Sequence, residues 1–375
     1  VLRRLPGWPA AALPAGTAAM AATTGVTTPS PVAPAAGDSP ALAPVIRVID
    51  VDGIATEVME WEGAAAGGAP PVTFVMFPGN PGAVDFYRAY LGGVAAACPA
   101  MRVVCVGHAS HSARVASRAR YNLAAQIAHK AAYLRREAAA EPRRRFILAG
   151  HSVGAHIALE AARGLPPATV AQFVLLTPTL RHIGATPNGR RLTPFFNHFR
   201  GAAWLATYAV AALPAAVQRA VLTPFMTGGD ASAALVLVHP DVAANALYLA
   251  AHEMREIREI EPSHMTAVAP KTVAFFAATD DWVLPEDPDV FASRFPRATI
   301  VRCTEGHRHA FVLSPASSAR LASHTWRWIR HVVEGGSGGS GDEGAVDKGV
   351  ATAPATFASP GRSSSTSTDR DTLLA

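Results

Sequence analysis

One feature constrains the fold of this chain more than any other: short apolar runs alternate with segments of helical periodicity. The runs lie at residues 45–51, 56–60, 72–77, 102–106, 145–149, 172–176, 272–277 and 299–303. Helical patterns fall between them at 85–97, 122–140, 152–163, 241–260 and 316–333. Runs that are apolar throughout, rather than at every second residue, suit strands buried on both faces. Alternating such strands with helices predicts an α/β fold, a mainly parallel central sheet with helices on both faces. The rhythm breaks once, between Leu180 and Pro270, where an insertion (about residues 181–265) is expected to form a helical lid.

The sharpest local motif lies at Phe146-Ile147-Leu148-Ala149-Gly150-His151-Ser152-Val153-Gly154, where an apolar strand runs into G-x-S-x-G and then a helical pattern. A serine at a tight strand-to-helix turn takes a strained backbone, so Gly150 and Gly154 must be small for the elbow to close. The helix that follows points its free N–H groups at the place where an oxyanion would form. The motif alone is weak and could be a structural turn; its position between a buried strand and a helix gives it force.

A serine hydroxyl needs a base, and the base needs an acid to orient it. In the α/β-hydrolase fold the order along the chain is Ser, then Asp or Glu, then His. Asp280-Asp281-Trp282-Val283 follows the next-to-last run and Glu305-Gly306-His307-Arg308-His309-Ala310-Phe311 follows the last, so both positions carry the right chemistry. Asp280 is preferred because it comes first in its loop, with Asp281 as the alternative. His309 is preferred over His307 because it leads directly into apolar Ala310-Phe311-Val312. The rejected twin in each pair reads as a solvated loop residue. A second oxyanion donor is expected from the stiff loop Phe77-Pro78-Gly79-Asn80-Pro81-Gly82, with the N–H of Asn80 acting beside that of Val153. A plain Pro/Gly turn is the competing reading of that loop.

Composition narrows the remaining classes. Half of the 375 residues are hydrophobic and 16% are charged, enough apolar side chain for a sizeable core. The net charge of +5 is spread along the chain without an aromatic-interleaved basic motif, which argues against nucleic acid. Cys98, Cys105 and Cys303 are too few and too scattered for a disulfide framework or a zinc site. His108, His111, His151, His156 and His252 lack metal-ligand spacing and read as surface, packing or pocket-lining residues. No metal and no cofactor enters the expected chemistry. Residues 1–44 are Ala/Thr/Pro-rich and residues 335–375 Gly/Ser-rich, both without periodicity, and are expected to be disordered arms around a folded part at 45–334. The opening VLRRLPGWPAAALPAG is broken by prolines and makes a poor secretory signal; an organelle transit peptide is the lesser alternative.

At these motifs the chain resembles the lipid droplet-associated hydrolase family. The resemblance rests on Phe77-Pro78-Gly79-Asn80-Pro81-Gly82 with Asp85-Phe86-Tyr87, and on Gly150-His151-Ser152-Val153-Gly154-Ala155. It continues in Leu176-Thr177-Pro178-Thr179, Thr186-Pro187-Asn188-Gly189-Arg190, Asn245-Ala246-Leu247-Tyr248, Asp280-Asp281-Trp282 and His309-Ala310-Phe311. It implies the α/β-hydrolase fold, a Ser152–Asp280–His309 triad, action on sterol esters or other neutral lipids, and residence on lipid droplets and the endoplasmic reticulum. In the family pattern the acid is usually followed by proline, where this chain has Asp281.

The insertion carries the apolar stretch 202–217, which includes Trp204, Leu205 and Tyr208. It is shorter than the ~20 residues of a spanning helix and is broken by Pro214. With Phe195, Phe196, Pro224, Phe225 and Met226, it is expected to dip into a lipid monolayer without crossing it. A lid helix buried against the core is the alternative. Arg181, Arg190, Arg191 and Arg200 flank the stretch and could meet anionic head groups.

The expected function is thus a serine-dependent carboxylic ester hydrolase for neutral lipid esters, of sterol ester or acylglycerol type, working from the cytosolic face at the lipid droplet. Two other readings stand beside it. One is a lipid-droplet surface protein that binds with little or no turnover. The other is a soluble esterase for small acyl substrates.

Overall fold

The computed structural model describes residues 43–63, 71–115, 117–222 and 235–335. The arm expected over residues 1–44 and the tail expected over 335–375 lie almost wholly outside the described residues, as do Pro224, Phe225 and Met226.

Eight strands form one sheet: β1 (Val45–Val51), β2 (Ile54–Trp61), β3 (Val72–Phe77), β4 (Arg102–Val106), β5 (Arg145–His151), β6 (Val170–Leu176), β7 (Thr272–Phe276) and β8 (Thr299–Arg302). Their spatial order is β1-β2-β4-β3-β5-β6-β7-β8. The first two pairings, β1 with β2 and β2 with β4, are antiparallel, and every later one is parallel. The hairpin between β1 and β2 turns on Asp52-Gly53, both at positive φ (54° and 78°), which matches the twist of the strands it joins.

Apolar runs become central strands because both of their faces are covered. On one face Val75, Phe77, Val104, Val106 and Leu148 meet α2 (Leu123–Ala140) and α3 (Val153–Ala162). On the other, Phe74, Met76, Val103, Cys105, Ile147 and Ala149 meet α1 (Arg88–Ala97) and the last helix, Pro315–Glu334. Because side chains alternate across a strand, one run of sequence feeds both cores.

Between β6 and β7 lie α4 (Pro187–Pro194), a π turn at Phe195–Phe199, α5 (Arg200–Ala211), α6 (Ala215–Leu222), α7 (Pro240–Glu256) and α8 (Pro262–Val268). The segment Thr186-Pro187-Asn188-Gly189 is a helix start: Thr186 Oγ1 accepts the Gly189 N–H (3.0 Å) and Pro187 opens the first turn. After β7 come α9 (Asp287–Arg294) and, beyond β8, α10 (Pro315–Glu334). Among the described residues, no helix is long and apolar enough to cross a membrane.

Phe199 (57% exposed), Leu205 (65%) and Tyr208 present apolar surface outward from the insertion, together with Phe195, Leu213 and Val217. Trp204 is half-buried, its ring edge-on to Tyr208 at 5.2 Å. Phe196 departs from the sequence expectation of lipid contact: it is 9% exposed and packs into the core. Successive side chains around the helical turn point in different directions, so Phe195 faces out while Phe196 faces in. Arg181 also departs, since it is drawn inward to Asp287 (2.5 Å) and Glu259 (3.2 Å) rather than held free for head groups.

Candidate active site

Ser152 sits between β5 and α3 at φ 55° and ψ −125°, a left-handed backbone that a non-glycine residue adopts only under constraint. The constraint is local packing. A Cβ at Gly154 would lie 2.1 Å from the Phe77 carbonyl oxygen, and one at Gly150 would lie 2.3 Å from that of Gly154. Only glycine lets the start of α3 press against the end of β3, and that closeness turns the serine outward. Its own N–H donates to the Leu176 carbonyl on the neighbouring strand (3.0 Å). Val153 is the first residue of α3, whose opening amides have no partner within the helix.

Asp280 and His309 come from loops at the same end of the sheet. His309 Nε2 lies 2.9 Å from Ser152 Oγ, and His309 Nδ1 lies 2.8 Å from Asp280 Oδ2. A carboxylate can only accept, so Nδ1 carries the proton and Nε2 is free to accept from the serine hydroxyl. The other carboxylate oxygen, Asp280 Oδ1, accepts the N–H of Trp282 (2.8 Å), which fixes its rotation. The two loops are laced together by a parallel bridge between Thr279 and Arg308 and by the Ala278 N–H donating to the His307 carbonyl (3.2 Å).

The rejected twins behave differently from each other. Asp281 is exposed, as a solvated loop residue should be, while its backbone carbonyl accepts the Asn188 N–H (2.9 Å). The start of α4 thereby braces the loop that carries Asp280. His307 is not solvated: it is buried, with its ring edge-on to Phe275 at 5.8 Å. Burial lowers its pKa below the usual histidine value.

The loop Phe77–Gly82 is no loose turn. Gly82 N–H donates to the Gly79 carbonyl (2.7 Å), and the Asn80–Pro81 peptide is cis. Asn80 Nδ2 donates to the Ala246 carbonyl and to Glu253 Oε1, both at 2.9 Å, so α7 of the insertion grips this loop from outside. Glu253 is buried, which pushes its pKa up to about 7.

Three further side chains join the site: Tyr87 and Thr177, which the sequence gives no chemical role, and His151, which it offers only as a surface, packing or pocket-lining residue. The Gly79 N–H donates to Tyr87 Oη (2.6 Å), Tyr87 Oη lies 2.6 Å from His151 Nδ1, and His151 Nε2 lies 2.9 Å from the His309 carbonyl oxygen. Thr177 Oγ1 donates to that same carbonyl at 3.2 Å. The sequence held only a faint signal for them, since His151 is the free position of G-x-S-x-G. Of the other histidines singled out in the sequence, the His108 and His111 rings meet edge-on at 5.4 Å, and His252 lies against Tyr248. Among the described residues, no three His, Cys, Asp or Glu side chains are arranged to hold a metal ion.

A mixed sheet in this strand order, with a serine at the elbow after β5 and its partners after β7 and β8, defines an α/β-hydrolase. Solved structures of the same fold include a membrane phospholipase A described as a bacterial virulence factor (TM-score 0.55, 18% identical, covering 78% of this chain and 87% of that one). The model of the lipid-droplet associated hydrolase family matches residues 70–312, and the chain belongs to that family of hydrolases. The lipid droplet-associated hydrolase of Gallus gallus is 26% identical over 280 residues, 70% of this chain and 85% of the relative. That of Rattus norvegicus is 30% identical over 215 residues, 56% of this chain and 65% of the relative.

Proposed function

We propose that this hydrolase is a serine-dependent carboxylic ester hydrolase acting on neutral lipid esters at the lipid droplet surface. One observation carries the reading: the Oγ–Nε2 and Nδ1–Oδ2 contacts at 2.9 and 2.8 Å form an unbroken path from nucleophile to base to acid. Ser152 attacks the acyl carbonyl while His309 Nε2 takes the hydroxyl proton. Asp280 holds the tautomer and stabilises the imidazolium. The N–H groups of Val153 and Asn80 receive the oxyanion, each contributing about 3 kcal/mol to the transition state. His309 then protonates the departing alcohol, and a water activated by the same ring hydrolyses the acyl-enzyme.

The lipid part of the reading draws on the family's name and on the surface of the insertion. Phe195, Phe199, Leu205 and Tyr208 expose apolar side chains on neighbouring turns, and a lipid monolayer is a partner that covers such a face. Sterol esters and acylglycerols are the proposed substrates, and the cytosolic face of the droplet and endoplasmic reticulum the proposed place of work.

The test is hydrolysis of a panel of acyl esters, from short-chain to triacylglycerol and cholesteryl, by wild type and Ser152→Ala. Activity that favours the long neutral esters and disappears in Ser152→Ala is the expected result. No hydrolysis by either protein on any ester would replace catalysis with a lipid-binding role.

A further inference from the structure

Two buried side chains connect opposite walls of the candidate site, and nothing in the triad chemistry uses them. Tyr87 stands in the short helical turn ahead of α1, and His151 is the last residue of β5, immediately before the nucleophile. Both are buried, and both are fully engaged.

The direction of every hydrogen bond in the connection can be worked out. The His309 carbonyl oxygen can only accept, so His151 Nε2, 2.9 Å away, must carry a proton. Burial and the neighbouring His309 lower the pKa of His151 to about 3, so its ring is neutral and Nδ1 is bare. Tyr87 Oη, 2.6 Å from that nitrogen, therefore donates its hydrogen there. Burial raises the tyrosine pKa, so the hydrogen stays on the oxygen. The lone pairs left on Oη accept the Gly79 N–H at 2.6 Å. The result is a one-way chain, Gly79 N–H to Tyr87 O–H to His151, and His151 Nε2–H to the carbonyl of His309.

Its two ends matter. Gly79 directly precedes Asn80, whose N–H is the proposed oxyanion donor. At the other end is the backbone of His309, whose imidazole is the proposed base. Phe311 packs edge-on to the His151 ring at 5.1 Å and prevents it from tipping, and Thr177 shares the carbonyl.

We infer that Tyr87 and His151 are positioning residues that hold the oxyanion loop and the backbone of the base in fixed register across Ser152. The inference rests on the serine-hydrolase reading and adds residues that never touch substrate. A structural tie alone would affect only how much protein is folded; a positioning tie sets the rate constant of the protein that is.

The experiment measures the rate constant and the final extent of Ser152 labelling by an alkyl fluorophosphonate, across pH 5–9. The proteins are wild type, Ser152→Ala, Tyr87→Phe, His151→Leu and His151→Gln. Tyr87→Phe and His151→Leu should label roughly tenfold or more slowly, because small misplacements of reacting groups are costly in rate. The slowing should be uniform with pH, since His151 stays neutral, and the final extent should match wild type. His151→Gln should recover most of the rate, because a side-chain amide offers one acceptor and one donor at nearly the same spacing. Wild-type rate constants in Tyr87→Phe and His151→Leu, with only the extent reduced, would overturn the positioning role and leave the triad standing. Labelling of wild type that is absent, or unchanged in Ser152→Ala, would overturn the hydrolase reading and the positioning role with it.

Discussion

Asp280 and Asp281 are chemically identical neighbours, and geometry separates them. Asp280 gives one carboxylate oxygen to His309 and the other to the Trp282 N–H, while Asp281 is exposed. Asp280→Asn should therefore lower kcat by roughly 10⁴-fold, because an amide favours the wrong imidazole tautomer. Asp281→Asn should leave kcat within about twofold, as a surface change away from the reacting groups does. Steady-state kinetics on one ester, with circular dichroism as a folding check, decides between them; equal losses would contradict the assignment. At this scale the order Ser152, Asp280, His309 is legible in the sequence, and the structure brings these three side chains into contact. The link between Tyr87 and His151 is not legible, since a hydrogen-bond chain between residues 64 positions apart leaves no periodic trace in sequence. The burial of His307 is hidden from sequence for a related reason. A histidine near an exposed loop looks solvated until the ring of Phe275, on a distant strand, is known to cover it.

Elements were more legible than single contacts where burial is uniform. The central strands are continuous apolar runs, and β3 and β4 begin and end where the run does. The helix Asp287–Arg294 leaves little trace in sequence because it is short, polar on its outer side and carries a proline at 288 in its first turn. Within the insertion, propensity does not tell which apolar residues turn inward: Phe195 and Phe196 are alike in sequence, yet only Phe195 faces out. The exposed set on this element makes a separable prediction. Changing Phe199, Leu205 and Tyr208 together to serine should weaken flotation with triolein droplets by tenfold or more, given about 1.5–3 kcal/mol for each large apolar side chain buried. Hydrolysis of a water-soluble short-chain ester should stay near wild type. Loss of both activities together would mean that the face supports the fold instead of meeting lipid.

For the molecule as a whole, buried bases dominate the pH response. Burial lowers His111 to about 4, His129 to about 2 and His151 to about 3, and moves His108 the same way. In the unfolded chain these rings take up protons near pH 6.5, while in the folded protein they do not. The unfolded state thus binds more protons below 6.5, and stability falls as the solution is acidified. Glu253, raised by burial to about 7, acts in the opposite sense between roughly 4.5 and 7 and offsets one histidine. Counting His111, His129 and His151 less Glu253, at about 1.4 kcal/mol per unit for each proton, the net loss between pH 6.5 and 4.5 should be on the order of 5 kcal/mol, with His108 adding in the same direction. Thermal unfolding followed from pH 7.5 down to 4.5 should show a steadily falling Tm; a flat profile would mean that these histidines are solvated.

All of these scales converge on Ser152, and the most direct measurement is capture of its acyl-enzyme. The protein is mixed with a neutral lipid ester, quenched in acid within the first turnovers, digested and analysed by mass spectrometry. The acyl mass should appear on the peptide carrying Ser152, with no acylated peptide and no turnover in Ser152→Ala. Acylation of a different residue, or undiminished hydrolysis by Ser152→Ala, would contradict the assignment of Ser152 as nucleophile.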